Sequence, residues 1–180
     1  MKNNLNIISI IFFISLFLLN LNKSLANEVV INASEVDIQE KGNLILAHGS
    51  VSITDGNNIE IKGEKAKYNK LDQNIEIIGD VIFLDKGNNY KAKSNKVIFD
   101  RKKNLIYSFE ESYIYIFDEN NINTNFEIKS EDLIIDQNNQ TIEFISNIFA
   151  KDIKQDYVIN ADKIIYFKFE EIIKSFGKTK

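Results

Sequence analysis

Five segments of this 180-residue chain align without internal gaps, and that repetition limits what it can fold into more than any other feature. They are Ile31 to Ile38 (INASEVDI), Ile61 to Tyr68 (IKGEKAKY), Ala92 to Phe99 (AKSNKVIF), Ile128 to Ile135 (IKSEDLII) and Ile159 to Tyr166 (INADKIIY). Their starts fall 30, 31, 36 and 31 residues apart. In each, the first position is apolar, the third is small, and the sixth and eighth are apolar or aromatic. Side chains of a strand alternate between faces, so positions one and three share a face that six and eight would leave unless one residue is inserted. A bulge or corner is therefore expected after the small residue at Ala33, Gly63, Ser94, Ser130 and Ala161, a residue size that suits a crowded bend.

Polar turns follow the segments at 40–43, 69–74, 100–104 and 136–140, each leading into another strand-like run. A third short strand is legible at Val51-Ser52-Ile53 and Val81-Ile82-Phe83, ahead of turns rich in Asp, Gly and Asn that supply positive-φ conformations. Nothing after residue 26 carries the i, i+3, i+4, i+7 spacing of an amphipathic helix over a useful length. Units of this size bury a shared interior by stacking, which predicts an all-β fold of repeated short antiparallel strands: a jelly roll, a sandwich or a short solenoid.

The N-terminus reads as an export signal. Lys2 precedes an apolar run from Leu5 to Leu21, and Ser24 and Ala26 stand at the −3 and −1 positions of a cleavage site. The expected division is a signal peptide over 1–26 and one domain over 27–180; retention of the run as an inner-membrane anchor is the competing reading. Removal of Lys2 and Lys23 takes the net charge from −4 to −6, which argues against nucleic acid as a partner. The absence of cysteine excludes a disulfide framework, a thiol nucleophile and a lipidated N-terminal Cys.

The unit apolar-x-Ala-[Asp/Ser]-[Glu/Lys]-x-x-[Tyr/Ile], a polar turn and then Gly-[Asp/Asn/Ser]-Val resembles the organic-solvent-tolerance (OstA-like) N-terminal domain family. INASEVDI with Gly49-Ser50-Val51, IKGEKAKY with Gly79-Asp80-Val81, and INADKIIY carry the resemblance, which covers roughly residues 29–168. Glu111-Ser112-Tyr113 and Ser146-Asn147-Ile148 stand where the third and fourth units would have the Gly-acid-Val triplet, and Phe176-Gly177-Lys178 corresponds to His48-Gly49-Ser50. The family includes the lipopolysaccharide-transport proteins LptA, LptC and the periplasmic part of LptD. The resemblance implies an open, twisted β-jelly roll that shields the acyl chains of lipopolysaccharide between its sheets. It also implies a periplasmic location, edge-to-edge joining to other Lpt jelly rolls, and no enzymatic activity or cofactor. An LptD-like N-terminal segment associated with the outer membrane, or an LptC-like anchored subunit, are variants of the same implication.

The residues expected on the recurring apolar face are Ile38, Val51, Ile53, Ile61, Tyr68, Ile77, Val81, Phe83, Phe99, Phe117, Ile128, Ile135, Phe144 and Tyr166. By pattern alone they fill a dry core, as in most β domains; by the resemblance they bind lipid. Lys62, Lys65, Lys67, Lys91, Lys93 and Lys96 lie beside the motif and either meet headgroup phosphates or form a solvated face that protects edges. His48, the sole histidine, has no nucleophile motif beside it and reads as a surface turn residue. The pairs Glu110-Glu111, Asp118-Glu119 and Glu170-Glu171 lack calcium-loop spacing, so neither a metal nor a catalytic site is assigned.

Unpaired sheet edges, expected over 29–38 and 157–169, invite β-augmentation by partners or head-to-tail copies of the chain. A different class of reading is an exported β-solenoid scaffold with a solid core and no lipid.

Overall fold

The computed structural model describes residues 29–56, 58–118 and 123–177, so the expected export segment over 1–26 lies outside the described residues. No helix among the described residues is long and apolar enough to cross a membrane. The described residues form thirteen strands. They are β1 (Val30–Asn32), β2 (Glu35–Gln39), β3 (Leu44–Thr54), β4 (Ile59–Asn69), β5 (Asn74–Asp85), β6 (Tyr90–Asp100), β7 (Leu105–Phe109), β8 (Ser112–Phe117), β9 (Thr124–Ser130), β10 (Asp132–Asp136), β11 (Thr141–Asp152), β12 (Tyr157–Phe167) and β13 (Ile172–Phe176).

All pairings are antiparallel, and one crease runs through them. The register shifts within β3 between His48 and Val51, within β4 between Lys62 and Lys65, within β5 between Ile78 and Val81, and within β11 between Ile145 and Ile148. At the crease each long strand leaves one layer and enters the other. One layer runs β1-β3-β4-β5-β6-β8-β9-β11-β12, and the facing layer runs β2-β3-β4-β5-β6-β7-β10-β11-β12-β13. The result is a β-jelly roll, a single sheet folded along a seam into two layers. The runs 44–47 with 51–53, and 75–78 with 81–83, are thus each one bent strand rather than two.

The bend falls where the repeat places its small residue. Ala33, Gly63, Ser94, Ser130 and Ala161 stand at the crease, and the inserted residue turns both apolar pairs of each unit inward. The opposite seam positions take left-handed backbone at Gly49 (φ 73), Gly79 (φ 89), Glu110 (φ 78), Ser146 (φ 62) and Gly177 (φ 85). The triplet of the third unit is therefore Glu110-Glu111-Ser112, one residue earlier than the sequence alignment put it. Ser112 occupies the buried place of Val81, and its hydroxyl lies 2.7 Å from that of Ser108, which donates to Ser94 at 2.6 Å.

Opposite the seam, each layer ends in a rim of stacked turns. Lys70, Arg101, Gln137 and Lys168 donate backbone N–H groups to the carbonyls of Asn43, Gln73, Asn104 and Gln140 along one rim. Lys86, Phe117 and Ile153 donate to Asn58, Asn89 and Asn125 along the other. Asp and Asn open the turns because their side chains accept the next free N–H groups: Asp85 from Asn88 at 3.0 Å, Asp100 from Lys103 at 3.1 Å, Asp136 from Asn138 and Asn139 at 2.9 Å, and Asp152 from Gln155 at 2.8 Å. The turn chemistry that separates the repeats in sequence is thus the chemistry that builds the rims.

Candidate functional site

The interior between the layers is largely apolar and runs from one end to the other, interrupted by the buried hydroxyls of Ser108 and Ser112. The inward rows are Ile53-Ile61-Phe83-Ala92-Ile114-Ile128-Ala150 in the first layer and Ala47-Ala66-Ile77-Val97-Ser108-Leu133-Phe144-Ile164 in the second. With strands ~4.8 Å apart, these rows extend roughly 30 Å. The interior is closed: Ile75, Ile77, Ile128, Ile135, Ile142 and Ile164 are fully buried. The cavity lined by Phe83, Ala92, Val97, Ile106, Leu133 and Ile135 holds about 10 Å³, at most the room for a single water.

Of the residues expected on the apolar face, Val51, Ile53, Ile61, Tyr68, Ile77, Val81, Phe83, Phe99, Ile128, Ile135, Phe144 and Tyr166 lie in this interior. Two do not. Ile38 is 63% exposed, because among the described residues β2 is the last strand of its layer and none covers its inward side. Phe117 is half-buried and points outward, since β8 turns Ser112, Ile114 and Ile116 inward and a strand alternates. Ile114 and Ile116 belong in the interior in its place. Ile75, Tyr90, Ile106, Ile142 and Ile164 are further interior residues that the repeat did not single out, although alternation with Ile77, Phe144 and Tyr166 marks three of them.

The lysines beside the motif do not converge. Lys62, Lys91 and Lys93 lie on the outer surface of the first layer and Lys65, Lys67 and Lys96 on that of the second. Lys62 pairs with Glu60 at 2.9 Å, Lys96 with Glu76 at 2.5 Å, and the Lys93 ammonium sits 5.6 Å above the Tyr115 ring. His48 is an exposed member of β3 between Glu35 and Lys65, not a turn residue. Glu110 and Glu111 lie at the seam, and no cluster of metal-ligating side chains forms among the described residues.

Between the rims lies a polar cleft of two adjoining lobes, about 520 and 480 Å³, which share Asn88 and Lys168. In the first layer, Ile59, Asp85 and Ile116 of the row Ile59-Asp85-Tyr90-Ile116-Phe126-Asp152 line it. Lys168 extends from the second layer, just past β12, and its ammonium lies 5.5 Å from the centroid of the Tyr90 ring, which stacks on Phe83 at 5.7 Å. Lys168 is 9% exposed and Tyr90 2%. Among the described residues neither the ammonium nor the phenol oxygen has a hydrogen-bond partner. Burial, helped by Asp85, pushes the Tyr90 phenol well above its ordinary range. Burial pulls the Lys168 ammonium below its ordinary value against the opposing pull of Asp85 and Asp136.

The sheet edges differ at the two ends. At one end β1 and β2 are the outermost strands of their layers, with Val30, Val36 and Ile38 exposed. At the other, β13 covers Lys163 to Phe167 of β12, while Tyr157 to Ala161, paired with β11 on one side, have no strand on their other side among the described residues. The open edge there is therefore stepped, 157–161 in one layer and 172–176 in the other, and the expected edge over 157–169 is corrected accordingly.

No family model matches the chain, and no curated relative matches it. Among solved structures, it is similar to LptH of Pseudomonas aeruginosa, the LptA-homologous periplasmic component of the lipopolysaccharide transport device. The identity is 10%, the similarity covers 84% of each chain, and the TM-score is 0.34.

Proposed function

We propose that this protein is a non-enzymatic carrier of lipopolysaccharide in the periplasm, which shelters acyl chains between its two layers and joins partner jelly rolls at its open edges. The observation that carries this reading is the largely apolar interior running between two ends left uncovered among the described residues, in a chain whose repeat resembles the OstA-like domains. Each methylene taken from water into such an interior contributes about 0.8 kcal/mol, so a twelve-carbon chain would gain roughly 10 kcal/mol toward parting the layers. Backbone groups of β1 and β2 at one end, and of β12 and β13 at the other, support pairing with strands of other Lpt jelly rolls or of a second copy, head to tail. The same features suit an LptD-like segment at the outer membrane.

Competition between a fluorescent acyl amphiphile and lipopolysaccharide for the purified protein tests the proposal. Saturable binding and displacement at one class of site are expected, and a folded protein that takes up neither contradicts it. The closed interior favours a second reading, an exported β scaffold with a solid core, for which no uptake is the expected result.

A further inference from the structure

The closed interior poses a physical question for a carrier, namely where the layers come apart. They cannot part at the seam, where every long strand passes covalently from one layer to the other. They can part only along the cleft between the rims. There the closed state is least well satisfied, because Tyr90 and Lys168 are buried against each other across the two layers with polar atoms left unpartnered among the described residues. A buried polar atom without a partner disfavours the state that buries it, and water restores its hydrogen bonds once the site opens. The Asp85 carboxylate, whose two oxygens accept from the backbone and side-chain nitrogens of Asn88 at 3.0 and 2.8 Å, is near enough to act on both groups.

We propose that the Tyr90–Lys168 contact is a built-in weak point along which the two layers part to admit an acyl-bearing amphiphile, and that the hydration of these two groups on opening sets how readily they part. This rests on the carrier reading and adds its gate. The lowered proton affinity of Lys168 agrees with it: the neighbouring Asp85 and Asp136 attract the ammonium, yet burial outweighs them. The direction of effect is unusual. Removing the unsatisfied groups should make the protein more stable and slower to load, whereas ordinary damage to a core makes a protein less stable and leakier.

The test uses Tyr90→Phe, which keeps the ring on Phe83 and deletes only the hydroxyl, and Lys168→Met made together with Asp85→Asn so that no buried carboxylate loses its counter-charge. Thermal midpoints and stopped-flow uptake of a fluorescent dodecanoyl amphiphile are measured on both, with Lys67→Met on the outer face as control. Higher midpoints with uptake slowed about tenfold, the expected consequence of removing one unsatisfied buried polar group, would bear the gate out. Unchanged uptake, or faster uptake with a lower midpoint, would overturn it.

Because the chain has no cysteine, spin labels at Lys86→Cys and Lys102→Cys, exposed on opposite rims, report the lip directly. The unsubstituted lip should show a population of longer separations that both variants lose, and identical distributions would overturn the gate. If no amphiphile binds but this difference is present, the carrier reading fails while the gate stands.

Discussion

A Cβ atom added to Gly63 would stand 2.5 Å from the Cγ2 of Ile77. The glycine sits at the crease of β4 and the isoleucine on the adjacent inward row of β5, so the seam and the core meet at this point. Gly63→Ala is expected to lower stability by roughly 1–3 kcal/mol through overpacking. Ile77→Leu removes the branch that clashes, so in a double-mutant cycle by urea unfolding the pair should lose less than the sum of its single changes.

Ser146 holds a φ of 62° where Gly49 and Gly79 occupy the equivalent seam positions. A side chain in that conformation is strained relative to glycine, and Ser146→Gly should raise stability by about 0.5–1 kcal/mol. The shift in urea midpoint measures it, and a loss of stability would mean that Ser146 contributes more through its contacts than it loses in strain.

Phe144 is 1% exposed and Ile38 lies uncovered at an open end. Phe144→Ala should destabilise by about 3–5 kcal/mol, whereas Ile38→Ala should stay within about 0.5 kcal/mol. Comparable losses at both sites would show that the open end is covered in solution.

Asp136 titrates below the ordinary aspartate value of 3.8, chiefly because the backbone N–H of Asn139 donates to it. Glu60 titrates below 4.5 because the Lys62 ammonium holds it. Groups depressed in the folded state stabilise the fold above their unfolded pKa, and that contribution is lost as pH falls through the folded pKa. The urea midpoint should therefore hold between pH 7 and about 5 and fall below about 4. Asp136→Asn, which retains an oxygen for the turn, should flatten part of that acid limb.

The pattern of the repeat was sufficient to place the crease, because two apolar pairs of opposite phase separated by a small residue leave a bent strand as the simplest solution. It also marked both rims, since Asp and Asn at turn starts act locally. What lay beyond it was set by partners distant in sequence. Phe117 was misplaced because the Gly-acid-Val triplet is written there as Glu110-Glu111-Ser112, and aligning it one residue late inverts the face of β8. Ile38 was read onto the correct face, but whether that face is covered depends on what lies across the interior. Asp85 falls in a turn after 81–83 and Lys168 in the edge expected over 157–169, and their burial arises only when the second layer closes over the first.

Photo-crosslinking tests the central claim most directly. A photoreactive residue placed singly at Phe83, Phe99 or Phe144 in the interior, and at Lys65 or Lys102 outside it, is irradiated in the presence of lipopolysaccharide. The carrier account predicts a lipid adduct at the interior sites and none at the outer ones. Adducts at neither set, with the protein shown to be folded, would contradict it and leave a closed-core scaffold.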